Sequence, residues 1–404
     1  MARHFKEESG NDQTTSRQLD TESHTAAPEV QNLTDGAEPL RVLNAEDIKP
    51  KRERSSKRPV ILGIILGILS LLLCAVAVGS VMLSRSLSLD SGDQSVKQSL
   101  IKEKDAAAES QNDGFYVLIV GTDSREDDFT GRSDVLILAR VDPTTATVTL
   151  VSIPRDTMVH IAGEDTPNKI NAAYAFYGAD ATLVAVSEFA GVPISHFVKV
   201  NFTGVEHVVD LLGGVRVNVP ETVQVGNGGA YIEAGEQVLD GATALAYARE
   251  RYTVSGGDFG RAQAQRQIVT AIIKQVLAAS PTELPGLIAN LAACVSTDYN
   301  VPDLVSLALK FQGKDPTIYS AVCPSYGYWE GDVSYVGTMY KEWQAMMKRV
   351  DAGLDPNDES AEIPEPQASS TKLGAASNSA SPRNYEEYLA QANPMTTEDV
   401  VAAE

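Results

Sequence analysis

The chain has 404 residues, 43% of them hydrophobic, enough for a sizeable core and for two or three domains. Its formal net charge of -21 excludes a general nucleic-acid-binding role, which needs a basic footprint. Its three cysteines include no CxxC pair, which excludes a zinc finger or a thioredoxin-like site.

Residues 1–58 are polar, rich in Glu, Thr, Ser and Asp, and have the composition of a disordered tail. Pro59 to Leu83 carries no charge over 25 residues, which is long enough for one transmembrane helix at about 1.5 Å per residue. Lys49, Lys51, Arg52, Arg54, Lys57 and Arg58 lie just before it. That basic flank predicts a single-pass protein of the cell membrane, with a cytoplasmic N-terminus and an extracellular bulk. A cleaved signal peptide would start near residue 1 rather than behind a long polar tail. Residues 84–113 read as a polar extracellular stalk, helical around Lys102 to Ser110. This topology places Cys294 and Cys323 where a disulfide can persist, and they are expected to pair. Two buried free thiols are the other arrangement open to them.

The folded domain is expected from residue 114. Tyr116–Val120, Val135–Ala139 and Val148–Ile153 are short apolar runs with strand character, the last two separated by the turn signal Asp142-Pro143-Thr144. Asn171 to Phe189 is Ala-rich and predicts one or two helices broken at Gly178. Phe197–Phe202 is strand-like, Val205–Leu212 a short helix stopped by Gly213-Gly214, and Val215–Val219 alternates like a strand. Asp240–Arg249 and Arg261–Ala279 predict helices. Helices at Leu284–Val295 and Pro302–Phe311, a strand at Thr317–Cys323 and a last helix at Val336–Val350 complete the pattern. Strands and helices in alternation predict an α/β fold with a central mixed sheet flanked by helices. Residues 282–350 are expected to pack on that domain as an extension. Residues 351–404 turn acidic and rich in Pro, Ser and Ala, the composition of a second disordered tail.

Ala248-Arg249-Glu250-Arg251-Tyr252 is followed by Gly257-Asp258-Phe259-Gly260-Arg261 and Gln265-Arg266-Gln267, so four arginines fall within eighteen residues. Over residues 115–280, nine of twelve basic side chains are Arg. That bias favours oxyanion recognition, because Lys would serve solubility as well. A guanidinium presents a planar fork that fits two phosphate or carboxylate oxygens at once. On a helix Arg261 and Gln265 share a face, whereas Arg249 and Arg251 share one only if extended. A solvated, charged helix start is the plainer reading of the same residues.

Three carboxylates sit at strand ends, where α/β sheets bind ligands: Asp123, Asp134 and Asp156. Asp123 and Asp134 suit a magnesium ion, which takes one or two carboxylates plus phosphate and water. Local ion pairs with Arg125, Arg132 or Arg155 are the alternative. There is no GxSxG, HExxH, P-loop or GxGxxG, and His160, His196 and His207 lack ligand spacing.

Taken in order, Gly121-Thr122-Asp123-Ser124-Arg125, Gly131-Arg132-Ser133-Asp134, Ser152-Ile153-Pro154-Arg155-Asp156, Lys169-Ile170-Asn171-Ala172-Ala173-Tyr174, Val200-Asn201-Phe202, Leu211-Leu212-Gly213-Gly214-Val215 and the Arg segment resemble the LytR-CpsA-Psr family. The resemblance covers roughly residues 115–280, and it is the ordered set that makes it specific. It implies an α/β sandwich with an apolar lipid pocket over about residues 114–281. It also implies a phosphotransferase that moves a glycopolymer from a polyprenyl-pyrophosphate carrier to peptidoglycan through a phosphodiester bond. By position, Arg132, Arg155, Arg249, Arg251, Arg261 and Gln265 match pyrophosphate-binding residues, and Asp123 and Asp134 match metal-associated carboxylates for Mg2+. Asp134, Arg155 and Arg249 are the expected catalytic set, with Lys169, Asn171 and Asp258 as further candidates. Ala181–Ala190 and Ile268–Leu277 are apolar enough to line the lipid pocket and equally suited to ordinary core. Ala264 stands where many members carry Arg, with Arg266 as a possible stand-in. A non-catalytic envelope protein that binds polyprenyl phosphates or glycans, and a transcriptional regulator, are the other readings.

Overall fold

The computed structural model describes residues 114–123, 133–226, 229, 231–392 and 394–397. The N-terminal tail, the apolar span and the stalk, residues 1–113, lie outside the described residues, as do Arg125 and Arg132. Among the described residues no helix is long and apolar enough to cross a membrane.

Strands β1 (Phe115–Thr122), β2 (Ser133–Asp142) and β3 (Thr147–Ser152) form an antiparallel meander, with Gly121 opposite Val135 and Ile137 opposite Ser152. The short pair β4 (Met158–Val159) and β5 (Asn168–Lys169) follows. Helix α1 (Ala172–Ala190) then crosses to β6 (Ile194–Asn201), which runs parallel to β1. Helix α1 breaks at Gly178, whose φ of 79° and ψ of -162° suit glycine alone.

Next come α2 (Phe202–Leu211), β7 (Val215–Val219), β8 (Val223–Gln224), β9 (Tyr231–Ile232) and β10 (Gly235–Leu239). Helices α3 (Gly241–Arg249) and α4 (Asp258–Ala278) complete that half. Capping by Asn201, which accepts from the Gly204 amide, starts α2, and Asp240, which accepts from Thr243, starts α3. After α5 (Leu284–Ala292), β11 (Ser296–Thr297) and α6 (Val301–Leu309), strand β12 (Thr317–Val322) joins β3 in parallel. The hairpin of β13 (Ser325–Glu330) and β14 (Val333–Thr338) leads to α7 (Tyr340–Asp351). One-turn helices α8 (Glu365–Ala368) and α9 (Glu386–Leu389) and strand β15 (Pro394–Met395) follow.

The main sheet has the order β11-β6-β1-β2-β3-β12. Strands β1, β3, β6 and β12 run one way, β2 and β11 the other, so the sheet is mixed. Alternation along β1 divides the core between two faces. Tyr116, Leu118 and Val120 pack against α1 and α7, while Val117 and Ile119 face α4. Trp343 of α7 stacks on Phe189 of α1 at 5.3 Å, and its indole N–H donates to the Phe189 carbonyl at 3.1 Å.

Three expectations are corrected here. The segment Val336–Val350 is not one helix. Val336 belongs to β14, where its amide donates to the Asp156 carbonyl, and the helix begins at Tyr340. The expected disulfide is absent, since Cys294 and Cys323 are free thiols. Cys294 adjoins β11 and Cys323 follows β12, the opposite edges of the sheet. At about 4.8 Å per strand they stand on the order of 20 Å apart, and a disulfide needs Cα atoms within about 7 Å.

The expected disorder after residue 351 is also overturned for the described part of that segment. Residues 353–392 and 394–397 wrap the domain, with Leu373, Ala376 and Tyr385 in the core. Backbone bonds fix the path: Gly374 donates to Ala190, Ala376 to Phe189 and Ala380 to Met158. Gly191 and the Lys372 carbonyl pass so closely that a Cβ on Gly191 would lie 1.8 Å from that oxygen. The composition misled because the anchoring apolar residues are few and isolated, and main-chain bonds do much of the docking.

Tyr385→Ala removes a buried ring and is expected to lower unfolding free energy by about 3 kcal/mol, read by urea denaturation. A change within about 0.5 kcal/mol, the size of an ordinary surface substitution, would contradict the docking of residues 353–397 onto the core.

Candidate active site

The parallel strands β1, β3 and β6 all end at one edge of the sheet, and the polar motifs follow those ends. Asp123 leaves β1, Asp134 lies near the start of antiparallel β2, Arg155 follows β3, and Phe202 follows β6. Above the Ile119 face of the sheet, α2, α3 and α4 enclose a cavity of about 500 Å³. Its body is apolar: Ile119, Ile137 and Val198 from the strands, Val205 and Val208 from α2, and Ile268, Val269 and Ile272 from α4. The polar residues along its wall are Asp123, Asp134, Arg155, Arg249, Arg251, Arg261 and Gln265. The helical stripe Arg261, Gln265, Ile268, Ile272 explains how α4 supplies both charge and apolar wall. Of the two candidate lipid segments, Ile268–Leu277 contributes to this cavity. Ala181–Ala190 instead packs in the core on the opposite face of the sheet.

Each charged group has identifiable partners. Arg155 makes a close ion pair with Asp134 and lies 3.9 Å from the Asp156 carboxylate. Burial disfavours its charge, but Asp134, Asp258 and Asp156 outweigh that and hold its pKa above the ordinary arginine value. Arg261 pairs with Asp258 at 2.7 Å. Burial lowers its pKa, Asp258 opposes the shift, and the neighbouring Arg155 and Arg251 reinforce it. The Arg261 Nε is buried with no hydrogen-bond partner among the described residues. Arg249 lies over the Phe202 ring at 4.5 Å, and Arg251 over the Tyr252 ring at 4.8 Å. Gln265 donates to the Ala248 carbonyl at 3.0 Å, tying α4 to the end of α3. Guanidinium groups gathered in a half-buried site favour a multiply charged anion.

Glu250 shapes the site in a way its motif does not reveal. It is buried, and its carboxylate accepts from the amides of Gly226 (2.9 Å), Arg251 (3.0 Å), Tyr252 (2.7 Å) and Thr253 (3.3 Å). Glu221 closes the far side of the same loop, accepting from the Ser255 amide at 2.5 Å and hydroxyl at 2.8 Å. The two carboxylates thereby shape the turn that carries Arg251. A carboxylate placed between two arginines was the available signal, but sequence alone does not say whether it faces charge or backbone.

The other candidates separate. Asp258 belongs to this site through Arg261, whereas Lys169 and Asn171 line a different cavity behind Asp156. Arg266 does not stand in for the missing arginine at 264. It is fully buried, and its Nε donates to the Ser320 hydroxyl of β12 at 2.8 Å. One residue beyond Gln265 turns the side chain by about 100° around the helix, away from the cavity. Arg132 lies outside the described residues.

Asp123 and Asp134 line the same cavity, at ends of β1 and β2 that pair with each other. Among the described residues no group of three or more His, Cys, Asp or Glu could hold a metal alone. Two carboxylates beside an arginine cluster nevertheless fit magnesium, which can take the rest of its shell from phosphate oxygens and water.

The sequence pattern of the LytR_cpsA_psr family matches residues 84–352. The chain belongs to this family. It is 42% identical over 228 residues to the polyisoprenyl-teichoic acid–peptidoglycan teichoic acid transferase TagU of Halalkalibacterium halodurans, covering 56% of this chain and 72% of that one. Against TagU of Enterococcus faecalis the identity is 32% over 285 residues, covering 69% and 92%. Among solved structures, TagT bound to LI-WTA superposes with a TM-score of 0.50 at 27% identity, covering 60% of this chain and 92% of that one. Residues 353–397 therefore lie beyond the segment that this LytR-CpsA-Psr pattern matches.

Glu250 supplies a pH test. Burial pushes its pKa up, but the four backbone donors outweigh burial and leave it below the ordinary value. Its stabilising effect is therefore complete above the unfolded carboxylate pKa of about 4.3, and is lost as pH falls through the lower folded value. Glu250→Gln is expected to cost about 1–3 kcal/mol at pH 7. In chemical denaturation the gap from wild type should narrow below about pH 4. A gap independent of pH would show that the charge of Glu250 does not hold the loop.

Proposed function

We propose that this chain is a membrane-anchored phosphotransferase that moves a glycopolymer from a polyprenyl-pyrophosphate carrier to peptidoglycan. The observation that carries the reading is one cavity whose body is apolar and whose wall carries Arg155, Arg249, Arg251 and Arg261. The apolar body suits a polyprenyl tail, and the guanidinium cluster suits a pyrophosphate. Relatives named as teichoic acid transferases, and a related structure bound to LI-WTA, support teichoic acid as the class of polymer.

In the reaction, an acceptor hydroxyl attacks the phosphorus that bears the glycan. The bond from that phosphorus to the bridging oxygen breaks, and polyprenyl phosphate leaves with that oxygen. The glycan phosphate becomes a phosphodiester. Asp134 is assigned as the carboxylate that accepts the hydroxyl proton, once substrate phosphate competes with it for Arg155. Arg249, Arg251 and Arg261 stabilise the charge that gathers on the departing phosphate. Arg132 joins this set by its motif, and Gln265 holds the Ala248 carbonyl beside it. Asp123 and Asp134 would hold Mg2+ together with substrate oxygens, and the ion would neutralise phosphate charge. The span Pro59–Leu83 would tether the site on the outer surface beside its lipid-linked donor, raising effective concentration.

The test uses the full chain in nanodiscs with magnesium, a lipid-linked teichoic acid precursor and peptidoglycan strands, with mass spectrometry for a phosphodiester-linked product. Arg249→Ala is expected to lower transfer by about a hundredfold or more. Asp134→Ala should abolish transfer while lipid binding stays measurable, and retained transfer in that variant removes Asp134 from the chemistry. Tight donor binding by the wild type with no product would favour a carrier-binding protein instead.

A further inference from the structure

A second cavity, of about 560 Å³, is reached through Lys169, which pairs with Asp156 at 3.0 Å. Asn168, Lys169, Asn171, Phe176 and Val333 line it. A run of ion pairs connects the two cavities: Asp134 to Arg155, Arg155 to Asp156 at 3.9 Å, and Asp156 to the Lys169 ammonium at 3.0 Å. The first two of these groups are bracketed by the first cavity, and the last lines the second. One acidic side chain therefore links the groups at the phosphate site to the second cavity.

The two cavities differ in chemistry. The first has a long aliphatic body, whereas the second sets an ammonium and two amides around one flat ring. Phe176 is 55% exposed, unusual for a ring that could have packed into the core. It is braced rather than loose: Tyr177 meets it edge-on at 6.2 Å, and the Tyr177 hydroxyl donates to Glu164 at 2.5 Å. The break at Gly178, immediately after this pair, sets the turn bearing both rings apart from the rest of α1. An open ring beside hydrogen-bonding groups is what a pyranose requires. Its C–H face lies on the ring, and its hydroxyl and amide substituents reach the polar rim.

In-line displacement adds direction. The entering oxygen must approach the phosphorus opposite the departing one, and the departing polyprenyl phosphate remains at the aliphatic cavity. The acceptor must then arrive from another side, and the second cavity is a separate one, joined to the first through the pairs Asp134–Arg155–Asp156–Lys169.

We propose that this second cavity is the subsite for a sugar ring of the acceptor glycan strand, with Phe176 as its stacking surface and Lys169 and Asn168 as its polar contacts. The proposal rests on the transfer reading above and adds to it where the acceptor is held. The donor's own glycan shares the same sugar chemistry, so the test separates the two sources.

Steady-state transfer by the full chain in nanodiscs is measured while lipid-linked donor and soluble uncross-linked peptidoglycan strands are varied separately. Phe176→Ala is expected to raise the acceptor KM about tenfold, with the donor KM within about twofold of wild type, and Phe176→Trp should restore the acceptor KM. An unchanged acceptor KM overturns the proposal. So does a rise confined to the donor KM, which would place the donor's glycan in this cavity. If the wild type gives no product, the transfer reading fails by itself, and direct titration of peptidoglycan strands onto the full chain still decides the subsite. Saturable binding that is lost in Phe176→Ala supports it, and equal binding by both proteins overturns it.

Discussion

Several guanidinium groups held close together in a half-buried site set the terms for the structure around them. Each repels the others, and burial removes the water that would screen them. Arg155 is balanced by Asp134 and Asp156, and Arg261 by Asp258, while Arg249 and Arg251 rest on the faces of Phe202 and Tyr252. The arrangement confines positive charge without cancelling it. Its neighbours follow from that need: strand ends that stop at one edge, a helix stripe carrying Arg261 and Gln265, and a loop drawn tight by Glu221 and Glu250.

The same edge solves a second problem. A ligand with a long hydrocarbon tail and a charged head needs an apolar volume open beside a polar cluster. Strand alternation provides it, because Ile119 and Ile137 face the helices while Leu118 and Leu138 face the core beneath. Keeping that open volume between the sheet and α2 to α4 leaves the Leu118 side free to be dense. The aromatic stack of Trp343 on Phe189 fills that side.

Much of the site was legible in sequence because its signals are local. The spacing of Arg261 and Gln265 gives their shared face, and Asp123, Asp134 and Arg155 stand beside strands whose apolar runs are plain. Strands β1, β2, β3, β6 and β7 and helices α1 to α4 are likewise readable, including the break at Gly178, whereas the short strands β4, β5, β8 and β9 and strand β10 are not. What failed depended on distance across the fold. Arg266 looked like part of the cluster, yet one helical step turns it toward Ser320. Cys294 and Cys323 looked pairable until sheet order put them at opposite edges. Glu250 and Asp156 were visible as carboxylates, but their partners are loop amides in one case and two cations in the other. Val336 sits at the head of a helix-like pattern in sequence, yet it pairs with Gly327 in the β13–β14 hairpin.

The wrapped C-terminal segment has a consequence in time. Val159 bridges Ser379, a contact between early and late residues that spans most of the domain, and the Val322 amide donates to the Thr397 hydroxyl. Such long-range closure slows folding, since loop entropy is lost before the contacts that repay it form. A growing chain that has delivered every arginine of the site still lacks Ala376 and Tyr385 from its core. Residues 373–385 thus close a core whose other walls come from far earlier in the chain, and that core is complete only once they have been made.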